Sequence, residues 1–206
     1  MLSSGTEADG IVCNGMSNYN RNSPFANAAV VVSIDHEKTF GADIFGGLKM
    51  RRALESKAYQ AVRSADGTRE LPTQNLMDFM NGTSKEALLP GSSPSGAVKT
   101  ALHEILPSNM AERIREGLEA FNVSMKGFLN NDAQVYGVES RTSCPLRITR
   151  DAETLESVSH AGLFPAGEGA GYAGGITSAA CDGIKIAEKI MEQFTSARTG
   201  AEATQK

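Results

Sequence analysis

A chain of 206 residues fits one ordinary domain, or a small domain joined to part of another. With 40% hydrophobic and 21% charged residues and no long apolar run, it reads as a soluble globular protein, and no membrane span is expected. The net charge of -4, and the lack of any Lys/Arg cluster interleaved with aromatics, give no reason to expect nucleic acid as a partner.

In chain order, the first apolar run is Ile11-Val12-Cys13, followed by the turn-like Asn14-Gly15. Ala28 to Ile34 contains Val30-Val31-Val32, whose β-branched side chains predict a buried strand. Between Gly47 and Arg63, Met50, Leu54, Ala58 and Ala61/Val62 recur at helical spacing, with Arg51, Arg52, Glu55 and Lys57 on the opposite side. That predicts an amphipathic helix. Residues 64–96 are so punctuated by Gly and Pro that only Asn75 to Met80 is expected to make a helical turn or two. Val98, Leu102 and Ile105 predict a short helix ended by Pro107. Met110, Ile114, Leu118 and Phe121 predict another, with Asn109 and Glu112 as a capping box. Gln134 to Glu139 and Pro145 to Thr149 read as short strands, and Asp151 to Ser159 as a polar connection. The last unit is Leu163-Phe164-Pro165-Ala166, a glycine-rich loop, and a helix from Ile176 to Phe194. Its expected buried stripe is Ile176, Ala179, Ala180, Gly183, Ala187, Ile190 and Phe194. The polar tail after Thr195 is expected to fray.

The loop Gly167-Glu168-Gly169-Ala170-Gly171-Tyr172-Ala173-Gly174-Gly175 contains Gly169-x-Gly171-x-x-Gly174, the literal dinucleotide fingerprint. That fingerprint opens a βαβ unit and needs a second strand ending in an acid about 20 residues further on. No such strand follows, so the opening reading is rejected in favour of a closing strand-loop-helix. A flavin suits that arrangement. Glu168 would accept hydrogen bonds from ribityl hydroxyls, glycines would let the backbone approach the cofactor, and a helix starting at Ile176 would aim free N–H groups at the pyrimidine edge of the isoalloxazine. The competing reading is a structural turn that packs helix on strand.

The stretches Gly137 to Ile148 and Gly162 to Ile176, with Asp182-Gly183, resemble the C-terminal end of the uncharacterised FAD-dependent dehydrogenases of bacteria and plastid-bearing eukaryotes. So do Asn14-Gly15-Met16-Ser17 with Arg21, Ala26-Asn27-Ala28-Ala29, Gln74, Asp78-Phe79 and Leu106-Pro107. Cys144 departs from the pattern, where Ser is more usual. The resemblance implies an α/β (α+β) fold: a mixed cap, substrate-side region over residues 1–148, then the closing strand-loop-helix of an incomplete Rossmann-type FAD-binding domain over 149–195, with a disordered tail over 196–206. It implies that a Rossmann-type half with its own fingerprint precedes this region in the whole protein.

The cofactor-binding candidates are Gly167, Glu168, Gly169, Gly171, Tyr172, Gly174, Gly175 and Ile176. Substrate-side candidates are Arg141, Thr142 and Ser143, with Arg147 as a further guanidinium, and Asn14 and Ser17. No catalytic acid or base stands out. His36, His103 and His160 lack ligand spacing and read as surface residues; no metal site is expected. Cys13, Cys144 and Cys181 fit neither a disulfide framework nor zinc, and no secretory signal is evident, so the expected location is intracellular and cytoplasmic, or the plastid stroma in a eukaryote. The expected function is the C-terminal portion of an FAD-dependent oxidoreductase, inactive alone, acting with FAD, a small-molecule substrate and the preceding half. The alternative is a non-catalytic half or interaction module that needs a partner chain.

Overall fold

The computed structural model describes residues 1–4 and 6–203, with side chains through residue 195. The fold is mixed α+β, and the chain divides into two compact units, Met1–Ser140 and Arg141–Lys206.

In the first unit, β1 (Leu2–Ser4) pairs antiparallel with β2 (Val12–Asn14). Ile11, Val12 and Cys13 are buried, in keeping with the apolar run. Asn14 ends β2 instead of opening a turn, and residues 15–18 are irregular. The strand expected at Val30–Val32 does not form. Residues 26–35 have no regular structure, and Val31 is 60% exposed. A β-branched run becomes a strand only beside a partner, and among the described residues no backbone N–H from Ala26 to Ile34 reaches a backbone acceptor.

Helix α1 (His36–Phe40) is capped by Asp35, whose carboxylate accepts from the Lys38 N–H at 3.1 Å. Helix α2 (Gly46–Ser64) matches the predicted amphipathic helix and buries Leu54, Ala58 and Val62. Glu55 differs from expectation: it is buried, and its carboxylate accepts from Ser140 Oγ at 2.6 Å and from Thr6 Oγ1. Those hydrogen bonds, with the Arg51 Nε at 3.8 Å, make that burial tolerable.

The segment read as loop contains the central strand of a sheet. Strand β3 (Leu71–Asn75) lies between β4 (Ala97–Lys99), parallel to it, and β5 (Gln134–Tyr136), antiparallel. All five β3 residues are buried, including Pro72, Thr73, Gln74 and Asn75. Asn75 then caps α3 (Leu76–Asn81) by accepting from Met77 N–H at 2.8 Å, and Gly82 ends it in the left-handed region at φ 62°. Val98 sits in β4 and only α4 (Leu102–Ile105) is helical, so the single helix expected there is a strand followed by one turn. Helix α5 (Ser108–Ser124) starts one residue before Asn109 with Pro107 at the cap position and no side-chain cap, so the Asn109–Glu112 box is not made. His103 is not a surface residue: its side chain is largely buried and its Nδ1 lies 2.8 Å from Gln74 Nε2.

In the second unit, neither expected strand forms. Residues 146–149 and 163–166 have no regular structure, Pro145 lies in a bend, and an isolated bridge joins Arg150 to Ser157. Pro145 and Pro165 each remove a ladder donor. Helix α6 (Ile176–Ala203) runs past the expected end at Phe194. The expectation of a disordered tail over 196–206 falls on side chains outside the described residues, and 204–206 lie outside them altogether. The face that α6 buries is rotated from the predicted stripe. Ile186 is buried, with Ala179, Asp182, Gly183 and Ile190 partly so, whereas Ile176 is 94% and Phe194 70% exposed. Among the described residues no helix is long and apolar enough to cross a membrane.

Cysteine environments differ sharply. Burial pushes the Cys13 thiol up to about 11, with Glu139 adding to the shift and the N-terminal ammonium opposing it, while Cys181 is exposed. A thiol-disulfide reagent at about pH 8 should therefore label Cys181 in the native chain and Cys13 only after unfolding. Equal native rates at the two would contradict this burial.

Candidate functional site

The second unit is organised by a buried ion pair. Arg150 donates from Nη1 and Nη2 to Asp182 of α6 at 2.9 and 2.6 Å, and from Nη1 to the Pro165 carbonyl at 2.7 Å. The Gly167 N–H donates to the same carboxylate at 2.9 Å. The chain entering the glycine loop is thus tied to the second turn of the helix leaving it. The hydrogen-bonded Arg150 holds the Asp182 carboxyl down to about 2 against the opposing effect of burial, with the Gly167 N–H lowering it further; the Arg150 guanidinium is shifted up in turn.

Tyr172 ties the loop to the segment before it. Its hydroxyl accepts from the Arg150 N–H at 3.0 Å, and the Arg150 guanidinium carbon lies 3.7 Å from the ring centroid. The Arg147 guanidinium lies over the same ring at 4.9 Å, and its Nε donates to the Gly171 carbonyl at 2.9 Å. Further bonds close the loop: Ile148 N–H to Ala170 carbonyl at 3.1 Å, Gly171 N–H to Glu168 carbonyl at 2.9 Å, and Tyr172 N–H to Gly167 carbonyl at 2.9 Å.

The loop glycines fall into two groups. Gly167 and Gly171 have φ of 63° and 81°, and a Cβ on Gly171 would lie 2.4 Å from the Leu146 carbonyl oxygen. The fold itself requires those two. Gly169 and Gly174 have no left-handed backbone, and a Cβ on either would meet nothing within 4 Å; at Gly175 it would meet only Ser178 Oγ at 3.6 Å. Among the described residues no close neighbour accounts for glycine at those three positions. One of them, Gly174, lines an open cleft of about 370 Å³ with Ser143, Cys144, Arg147, Gly171, Tyr172 and Ala173. Immediately after Gly175, α6 begins, with no acidic residue in its first turn to occupy its N–H groups.

Of the cofactor candidates, Gly171, Tyr172 and Gly174 line the cleft together with Ser143, whereas Gly167, Glu168, Gly169, Gly175 and Ile176 are outside its lining. Arg141 and Thr142 lie in the same unit and are exposed. Asn14 and Ser17 belong to the first unit and are also exposed. Glu168 is half-buried, and its main chain, through the Gly171 bond, helps shape the loop. Sequence reasoning missed the Arg150–Asp182 pair. The one available signal was Asp182-Gly183, which carried part of the resemblance without any hint of a partner.

The site, then, is a glycine-rich loop delivering the chain to the N-terminus of a long helix in a mixed α+β protein. The family model described as FAD-dependent protein, C-terminal domain-like matches residues 1–142, and the chain belongs to that family. A protein of Clostridium beijerinckii described as an uncharacterized protein is similar, with 39% identity over 197 residues. That match covers 94% of this chain and so reaches past residue 142 into the second unit. The chain spans only 36% of that relative's length.

Proposed function

We propose that this chain supplies the flavin-facing and substrate-facing part of a larger FAD-dependent oxidoreductase. The observation that carries the reading is Gly174, a glycine at which an added Cβ would meet nothing within 4 Å among the described residues, in the lining of the cleft and just before a helix N-terminus, with the equally uncrowded Gly169 and Gly175 near it in the loop. A backbone bare of Cβ atoms is what a planar ring needs for close approach.

The residues fit the cofactor. Bound FAD would supply the electron-accepting chemistry, hydride transfer being the step most in keeping with a dehydrogenase. Gly174 and Gly175 would admit the ring, the free N–H groups from Ile176 onward would favour negative charge at its pyrimidine edge, and Glu168 would accept from ribityl hydroxyls. Residues 1–148 act as the cap, with Arg141, Thr142, Ser143, Asn14 and Ser17 toward the substrate, and 149–195 close the FAD-binding domain. The pyrophosphate and adenosine sites lie in the remainder of the longer protein, which works in the cytoplasm. An exposed apolar line on α6, Ile176, Ile184, Met191 and Phe194, supports packing against that remainder.

Purified alone, the chain is expected to carry little FAD. Stable, stoichiometric flavin absorbance would contradict the division of the site between two parts. In the longer protein, Glu168→Ala should weaken FAD by about 1–3 kcal/mol, measured by titration, because shielded hydroxyls lose an acceptor.

A further inference from the structure

We propose that Arg147 is an oxyanion-binding residue of the second unit, reading a carboxylate on a small ligand that enters the cleft beside Tyr172. Three observations meet at this side chain. Its Nε is committed to the Gly171 carbonyl at 2.9 Å, and its plane is held over the Tyr172 ring at 4.9 Å, so the guanidinium is oriented before any ligand arrives. Neither Nη has a hydrogen-bond or ion-pair partner among the described residues, and Arg147 lines the cleft with Ser143 and Cys144. Its neighbour across the ring, Arg150, is neutralised by Asp182, which leaves the charge of Arg147 uncompensated.

With Nε occupied, the remaining edge presents two parallel N–H donors, one from each Nη. That edge matches the two oxygens of a carboxylate end-on, and a point charge such as an ammonium cannot reproduce it. Pre-orientation removes much of the side-chain ordering cost of binding. The Ser143 hydroxyl at the rim can donate to the same anion. The assignment separates the two arginines: Arg150 holds the loop, and Arg147 reads the ligand. It rests on the reading of this loop as a ligand-bearing cradle, and it names a different ligand and a different residue from the flavin contacts.

The test is a titration of the intact chain at constant ionic strength with sodium acetate, benzoate and inorganic phosphate, followed by the Arg147 Nε–H and Tyr172 NMR signals. Saturable shifts at both with the carboxylates are expected, together with a loss of about tenfold or more in affinity in Arg147→Lys, the order expected for losing one charge-assisted hydrogen bond. Because Arg147 is exposed, Arg147→Lys should keep the fold, verified by the unchanged Gly167 amide signal at the Asp182 bond. Shifts that never saturate, affinity intact in Arg147→Lys, or phosphate binding tighter than both carboxylates would overturn the proposal. A separate titration of the same chain with FAD, followed at Gly174 and Gly175, distinguishes failure of this site from failure of the flavin reading.

Discussion

Replacing Asp182 by Asn is expected to destabilise the second unit by about 3–5 kcal/mol, the cost of leaving one member of a buried ion pair without its partner. Both side chains are largely covered, at 7% exposure for Arg150 and 13% for Asp182, so water compensates only in part. The same carboxylate anchors the Gly167 N–H, and exchange of that amide should accelerate by more than tenfold in the variant. Replacing both residues by apolar ones of similar volume, Arg150→Met with Asp182→Leu, should recover only part of the loss: no buried charge is then unpaired, but the Pro165 carbonyl and the Gly167 N–H lose their partners. The pH dependence has a definite sign. Because the folded carboxyl is depressed from 3.8 to about 2, the pair contributes its full stability above the unfolded value, and loses it as pH falls through the folded one. Amide protection at Gly167 that is identical in wild type and Asp182→Asn between pH 5 and 7 would contradict this architecture.

Gly171→Ala should damage folding by about 2–4 kcal/mol, combining left-handed backbone strain with overpacking against main chain that cannot move aside. The added Cβ would sit 2.4 Å from the Leu146 carbonyl oxygen and 2.9 Å from the Arg147 Cα. Gly174→Ala, by contrast, should change stability by less than about 0.5 kcal/mol, since its Cβ meets nothing within 4 Å. Chemical denaturation of the two variants checks the contrast. Equal destabilisation would mean that both glycines serve the fold alone.

What could be read in the sequence divides along physical lines. Helix α2 was legible because Leu54, Ala58 and Val62 repeat at its period and local pattern decides burial there. Strand β3 was not, because its buried residues after Leu71 are Pro72, Thr73, Gln74 and Asn75, and a polar run beside proline looks like loop until its partners are known. Its side chains are satisfied at a distance: Gln74 donates to the Thr83 carbonyl at 2.6 Å. Val30-Val31-Val32 failed the opposite way, carrying strand composition without a pairing neighbour among the described residues. The loop itself was legible from its glycines. Which of them serve the fold was not, since the left-handed backbone of Gly171 and the approach of Leu146 and Arg147 to it emerge only in the folded chain. The Arg150–Asp182 pair joins residues too far apart in sequence for any local pattern to link.

The proposed approach of a flavin to Gly169, Gly174 and Gly175 is tested by an NMR titration of the chain with FAD, following backbone amides. Weak but saturable binding is predicted, with the largest shifts at Gly169, Gly174, Gly175 and Ile176, and with those shifts abolished in Gly174→Val while the Gly167 amide keeps its protection. Shifts confined to other parts of the chain, or loop shifts that persist unchanged in Gly174→Val, would contradict it.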